Sequence, residues 1–262
     1  MHDPDGGGGM AMPFVFSAGA TLTAAAAFAT LASLDFREIS AGGEELPQVL
    51  NWMAATVAGV ATAVCFMRWR LVRDRSAAWV GTGLLLYGVV KIGMNDGVLD
   101  AARDLPIVSS AGSAARALAI TCFIVALVPR LRRRSPNPHV LLGWSLTGLV
   151  VITQLLLLLP DLGESLADPR LLDDTTPAGA HVGLAIIWAV LAACYLRTGY
   201  ARRSQLDLWM GGTFIALLFS RMSLAIVDEG TIWLVASGTF RVLAMLFAFL
   251  GCNDGLRSAF AE

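Results

Sequence analysis

Four positive side chains fall inside apolar segments of this sequence, at matching places in its two halves: Lys91, Arg116, Arg221 and Arg241. A charged side chain in the middle of a bilayer costs about 2.5–3.5 kcal/mol on insertion scales, so it must face protein or water. Ammonium and guanidinium groups bind carboxylates and phosphates, and arginine does so through two parallel hydrogen bonds. The four residues therefore predict a site for an anionic ligand.

The four cations belong to an internal repeat. Trp79, Gly81 and Lys91 recur 130 residues later as Trp209, Gly211 and Arg221, and Arg116, Leu118 and Ala119 recur 125 residues later as Arg241, Leu243 and Ala244. Residues 12–134 and 135–252 are predicted to be two tandem four-helix repeats, preceded by a flexible tail over 1–11. A repeat with an even number of spans enters the membrane twice in the same direction.

The composition predicts an all-α integral membrane protein. Of the 262 residues, 56% are hydrophobic and only 15% are charged, which is too apolar for an ordinary soluble domain. The net charge of -1 and the scattered arginines argue against nucleic-acid binding, which needs a basic face. The four cysteines lie far apart without metal-ligand spacing, so we predict no disulfide, metal or cofactor.

The apolar stretches predict eight membrane-spanning helices, each near the length that crosses a hydrocarbon core of about 30 Å. They cover approximately residues 12–34, 48–67, 77–95, 106–129, 139–160, 180–198, 208–227 and 231–252. The loops after the second, fourth and sixth spans are rich in arginine, whereas the other loops are acidic. The positive-inside rule then places both termini in the cytoplasm and the protein in the inner membrane.

Acidic residues at the outer ends of the spans offer a structural alternative to ligand binding. No carboxylate is predicted at the depth of the four cations, and the nearest ones are Asp96, Asp100, Asp228 and Glu229. These could dip inward and form ion pairs that fix helix packing. A third interpretation satisfies the arginines through backbone carbonyls and internal water.

Two further features near these cations have structural interpretations. Ser110 and Ser113 lie close to Arg116 on an alanine-rich face, where small residues are typical of helix packing. Trp209 falls near a predicted span end, as do several other tryptophans, which is typical of the interfacial aromatic belt.

After Gly251 the spacing of Leu256, Ala259 and Phe260 predicts that residues 253–262 begin an amphipathic helix in the cytoplasm. Eight spans, short loops, internal termini and a departing helix resemble the membrane-associated sensor domains that precede bacterial histidine kinases and cyclic-dinucleotide enzymes. The resemblance is one of architecture over the whole chain. It implies sensing of a ligand or lipid, without catalysis in this segment, and an output domain beyond Glu262 or on another polypeptide.

Three functions remain open from sequence. The first is a sensory or regulatory domain that binds an anionic or amphiphilic ligand in its outer half, biases the packing of the two halves and relays the change through the last helix. The second is a small transporter of an organic anion or lipid along the interface between repeats. The third is an intramembrane lipid-modifying enzyme. Membrane lipids, a cytoplasmic partner and a second copy in a homodimer are the expected partners.

Overall fold

The computed structural model describes residues 45–96, 106–129, 131, 138–158, 177–226 and 231–261. Within these residues the chain forms seven helices and no strand. They are α1 (Glu45–Val72), α2 (α-helical over Arg75–Leu84 and π-helical over Leu85–Asp96), α3 (Pro106–Leu127), α4 (Pro138–Leu158), α5 (Pro177–Arg202), α6 (Gln205–Ile226) and α7 (Thr231–Ala261).

Six of these helices are long and apolar enough to cross a membrane: α1, α2, α3, α5, α6 and α7. In α4 the apolar part, Gly143–Leu155, is shorter than the crossing length. The first predicted span, 12–34, lies outside the described residues, as does the tail over 1–11. The multi-helix membrane architecture agrees with the sequence, whereas the count of eight spans stays a prediction.

The chain divides into two compact units. The central unit is Asn51–Ala180, and the terminal unit is Met1–Leu50 with His181–Glu262. In the central unit, α2 is the buried helix: 72% of its span is buried, against 33% for α1. In the terminal unit α6 holds the same position, because it packs on both α5 and α7.

Close approach of small residues joins the helices of the central unit. Thr62 on α1 donates its hydroxyl hydrogen to the carbonyl of Gly81 on α2 at 3.3 Å. A Cβ added at Gly81 would lie 2.9 Å from the Cβ of Cys65, and one added at Gly83 would lie 2.6 Å from the Phe123 ring on α3. Such contacts suit helices in lipid, where dispersion and not hydrophobicity holds them together.

Aromatic stacking and glycines do the same in the terminal unit. Phe214 on α6 stacks on Trp188 of α5 at 5.6 Å and contacts Tyr195 at 5.1 Å, between ring centroids. Gly211 approaches Leu196 so closely that an added Cβ would lie 2.5 Å from the leucine side chain. Helix α6 is therefore fixed against α5 along several turns.

Each unit contains a tight turn between two antiparallel helices. Arg73, after α1, has φ 59°, and Arg203, after α5, has φ 52°. A capping side chain follows each: an Asp74 carboxylate oxygen accepts from the Ser76 amide at 2.9 Å, and the Ser204 hydroxyl accepts from the Asp207 amide at 3.3 Å. Left-handed backbone at the helix end and a polar N-cap reverse the chain within two residues.

The turn between α1 and α2 is stabilised further by its arginines. Arg68 pairs with the Asp74 carboxylate at 3.0 Å, and the Arg73 guanidinium lies 5.6 Å from the centroid of the Trp69 ring. Both charges thus contribute to the local geometry of the turn.

Helix α7 continues without a break from its candidate membrane span, Trp233–Asp254, to Ala261. The sequence predicts a helix at 253–262, and the structure adds that it is the same helix as the last span. At Gly251 an added Cβ would lie 2.6 Å from the Cβ of Trp209 on α6. The last turns of the span are therefore in backbone-level contact with the start of α6.

The expectation that no cysteine forms a disulfide is wrong. Cys65 and Cys252 are disulfide-bonded, whereas Cys122 and Cys194 carry free thiols. The sequence contains no spacing signal for a disulfide, since its formation depends on the fold.

Replacing Gly251 by Ala should destabilise the protein by about 1–3 kcal/mol, because the new methyl group has to displace the Trp209 side chain close to its backbone. The matched control is Gly183→Ala on α5, where nothing lies within 4 Å of an added Cβ. Thermal unfolding of the purified protein in detergent measures both. Equal unfolding temperatures for the two variants would contradict the close contact.

Candidate functional site

The four predicted site residues lie in two pairs, one pair in each unit. Lys91 is in the π-helical part of α2 and Arg116 is on α3 in the central unit, while Arg221 is on α6 and Arg241 on α7 in the terminal unit. In both units the two helices that carry the pair pack against each other. Each pair is thus built by neighbouring antiparallel helices.

The first pair lies deep in the apolar part of its unit. Arg116 is ten residues after the start of α3 and eleven before its end, or about 15 Å from either end. Counting from the contact of Gly83 with Phe123, eight residues along α2 reach Lys91 and seven residues back along α3 reach Arg116. The two cations therefore lie at the same depth to within about one helical turn.

Both members of the first pair are half-buried, and Arg116 has a hydroxyl neighbour. Its Nη2 donates to the Ser113 hydroxyl oxygen at 3.4 Å, one turn earlier on the same helix. This distance is at the long end of the hydrogen-bond range. Ser113, which the sequence suggested to be a packing residue, contacts the cation instead.

A π-helical backbone surrounds Lys91. In a π-helix each amide bonds to the carbonyl five residues earlier, and such segments are rare and frequently found at functional sites. The segment spans twelve residues, Leu85–Asp96. It is held against α1 near its end, since an added Cβ at Gly93 would lie 2.8 Å from the Cβ of Ala55.

The second pair is more deeply buried. Arg221 is 5% exposed and Arg241 is 7% exposed. Between their helices the hydroxyls of Ser220 and Ser237 form a buried hydrogen bond of 2.9 Å. The rings of Phe219 and Phe240 stack at 5.7 Å beside it.

These contacts fix the register of the second pair. Ser220 precedes Arg221 by one residue, and Ser237 precedes Arg241 by four. In an antiparallel helix pair the two offsets add, so the two arginines are separated by five residues, about 7.5 Å, along the axis. The Nε atoms of both are buried and donate no hydrogen bond within the described residues, although each arginine has other interactions.

Of the four carboxylates predicted as ion-pair partners, one belongs to the described residues. Asp96 is the last residue of the π-helical segment. Asp100, Asp228 and Glu229 lie outside the described residues. Ion pairing of the cations with these acids therefore stays a prediction.

A further polar contact joins α6 to the extension of α7. The indole Nε1 of Trp209 donates to an Asp254 carboxylate oxygen at 2.9 Å, and the Trp209 side chain packs on Phe247 with ring centroids 5.9 Å apart. Trp209 is only 7% exposed.

Sequence reasoning missed this contact because its two residues are 45 positions apart. The repeat contains a usable signal, however. Trp79 is the counterpart of Trp209, and the position 125 residues before Asp254 is Pro129, which has no side-chain acceptor. In agreement, the Trp79 Nε1 is buried without a hydrogen-bond partner in the described part of the chain. The contact is specific to the second half.

Replacing Ser220 or Ser237 by Ala should each destabilise the protein by about 1–3 kcal/mol, because the remaining buried hydroxyl loses its partner. The double variant should cost less than the sum of the two, since no orphaned hydroxyl is left. Thermal unfolding of all three variants gives the coupling energy. Thr121→Ala, which removes an exposed hydroxyl, is the control. Additive effects in the double variant would contradict a direct hydroxyl contact.

The arrangement is suited to binding and positioning negative charge. It contains ammonium, guanidinium and hydroxyl groups, and the described residues include no group of three or more His, Cys, Asp or Glu that could hold a metal ion. No protein-family model, curated protein or solved structure matches the chain.

Proposed function

We propose that this chain is a sensory or regulatory membrane domain. It binds an anionic or amphiphilic ligand at one or both of its intramembrane cation pairs, Lys91 with Arg116 and Arg221 with Arg241, and relays the change along α7. One observation carries the proposal: each cation pair lies on two helices that pack against each other, and a helix of the second pair continues without a break past its candidate membrane span.

The energetic cost of the intramembrane charges favours a bound ligand. Arg116 lies near the middle of a 22-residue apolar helix, where an arginine is expensive and marks a functional site by default. Lys91, the only lysine in the chain, lies at a similar depth on the adjacent helix. Two positive groups at one depth repel each other. An anion held between them adds two attractive interactions that outweigh this repulsion.

The contacts of α7 with α6 favour a relay along this helix. Arg241 and Asp254 are thirteen residues apart on one helix, or about 20 Å. At Gly251 and Asp254 the helix is fixed to Trp209 of α6. A displacement of α6 and α7 together near Arg241 would therefore reach the end of α7 as a movement of the whole segment.

Local structure supports the tandem repeat and its orientation. Arg73 and Arg203, which share the left-handed conformation, are 130 residues apart, the same interval that separates Lys91 from Arg221. Both turns are rich in arginine, which supports placing them in the cytoplasm of the inner membrane with both termini. An output domain or partner protein would then receive the signal at the end of α7. A second copy of the chain is expected as the partner in a homodimer.

The transporter alternative is favoured by one observation, the π-helical segment around Lys91. Transporters place their substrates beside discontinuous helices near the middle of the bilayer. A change between π-helical and α-helical pairing would shift Lys91 around its helix axis. Transport of an organic anion or lipid is therefore the second candidate.

The double variant Arg116→Gln with Arg241→Gln tests the proposal by removing one cation from each pair. In the wild type, an anion at 100 times its Kd should stabilise the fold by about 2.7 kcal/mol. The double variant should lose this stabilisation while it still inserts into the membrane. Thermal unfolding with a panel of carboxylates, phosphates and anionic lipids measures the effect.

The matched control for that experiment is Arg70→Gln with Arg202→Gln, which removes two exposed charges at helix ends. It has the same net charge as the test variant and should keep the stabilisation. Unchanged stabilisation in the test variant would sink the ligand assignment. Uptake of the same anion by proteoliposomes containing the wild type would favour transport, since a sensor binds without moving its ligand.

The relay can be tested with Trp209→Phe, which keeps a ring against Phe247 but removes the hydrogen bond to Asp254. Anion binding should be retained. Hydrogen–deuterium exchange over residues 250–261 should change with anion in the wild type and change several-fold less in the variant. Asp254→Asn keeps an acceptor and should behave as the wild type. An equal response in the Trp209 variant would contradict the relay.

A further inference from the structure

We propose that the two cation pairs have different roles: Lys91 and Arg116, with Ser113, form a phosphate-binding site, whereas Arg221 and Arg241 are buried where α6 packs on α7 and do not bind the ligand. This inference rests on the proposed function, because it assumes that the chain binds an anion. It narrows the binding site to one unit and names the chemistry of the ligand.

Burial separates the two pairs. Lys91, Arg116 and Ser113 are all half-buried, whereas Arg221 and Arg241 are each more than nine-tenths buried. A ligand has to reach its site from water or from lipid. The first pair offers a surface to such a ligand, and the second pair has almost none.

The packing is also closer beside the second pair than beside the first. Between α6 and α7 the Ser220–Ser237 hydrogen bond and the stacked Phe219 and Phe240 rings close the interface next to the arginines. An anion could enter only if these contacts separated. In α3 the residues one turn before Arg116 are small, namely Gly112, Ser113 and Ala114. Small side chains therefore lie beside the first pair where aromatic rings lie beside the second.

The backbone around the two pairs differs as well. Lys91 lies in a π-helical segment, whereas its repeat counterpart Arg221 lies in a regular α-helix. A π-helix has a less favourable backbone than an α-helix and persists where the surrounding structure or a function requires it. Within the described residues, the departure from α-helical geometry is confined to the half that has the more exposed pair.

The donor set of the first pair matches a phosphate group. A guanidinium donates two parallel hydrogen bonds to two oxygens of one anion, an ammonium donates to a third, and the Ser113 hydroxyl supplies a further donor. The two positive charges balance a phosphate dianion. A phospholipid headgroup and a free phosphate compound share this chemistry, so the experiment has one arm for each source.

The test uses the full chain in phosphatidylcholine nanodiscs. In one arm inorganic phosphate is titrated and followed by thermal unfolding; in the other, phosphatidylglycerol is added to the nanodisc and retained lipid is counted by native mass spectrometry. Lys91→Met and Arg116→Gln should each weaken binding by about 10- to 100-fold, the loss of one charged hydrogen-bond partner. Arg241→Gln should lower the unfolding temperature and leave binding within about threefold of the wild type.

The outcomes separate the source of the phosphate, the division of roles between the pairs and the existence of the anion site. Binding of phosphate alone assigns a soluble ligand, and retention of phosphatidylglycerol assigns a lipid headgroup; both support the inference. Equal weakening by Arg116→Gln and Arg241→Gln would overturn the division of roles and leave the proposed function in place. Binding of neither probe by the wild type would overturn the anion site itself.

A second variant guards against misfolding. Arg116→Lys keeps the charge at the centre of α3 but removes the two-pronged geometry. It should fold and bind phosphate more weakly than the wild type and more tightly than Arg116→Gln. Wild-type affinity in Arg116→Lys together with wild-type affinity in Lys91→Met would overturn the assignment of the first pair.

Discussion

The absence of water from the hydrocarbon core governs this structure, because every polar group there has to find its partner within the protein. The helices satisfy their own backbones. Side-chain hydroxyls do the same: Thr82, Thr213 and Thr239 each donate to the carbonyl four residues earlier, at 2.9–3.0 Å. A guanidinium has more donors than its own helix satisfies: Arg116 donates to Ser113 one turn earlier, and its other donors need partners elsewhere. The pairs of cations on α2 and α3, and on α6 and α7, lie where neighbouring helices pack against each other and can supply such partners.

Small residues make that pairing possible. Where Gly81, Gly83, Gly211 and Gly251 face a neighbouring helix, the backbones come close enough that a methyl group would collide with the partner. Close backbones bring polar side chains on adjacent helices within reach of one another, as for Ser220 and Ser237. The same glycines place α2 and α6 at the buried positions of their units, while α1 and α5 expose apolar side chains such as Val60 and Val190.

Much of the helical architecture can be predicted from the sequence, since apolar length and arginine-rich turns are local signals. The predicted span 106–129 coincides with α3 to within two residues, and span 77–95 coincides with α2. The π-helical form of Leu85–Asp96 could not be predicted, because it depends on how the segment packs and not on its composition. The contact of Trp209 with Asp254 and the disulfide state of Cys65 depend in the same way on the fold. The cations were visible from sequence as unusual residues, but their division into an accessible and a buried pair was not.

Because α7 is uninterrupted, the number of residues in it sets the position and the orientation of its last turns. Thirteen residues separate Arg241 from Asp254, and they turn the helix through about three and a half revolutions. One residue added between them would rotate everything beyond it by about 100° and advance it by about 1.5 Å. Seven residues added would lengthen the rod by about 10 Å yet restore the same face to within about 20°. The helix thus transmits an angle as well as a displacement, and the angle is the quantity more sensitive to small changes in its length.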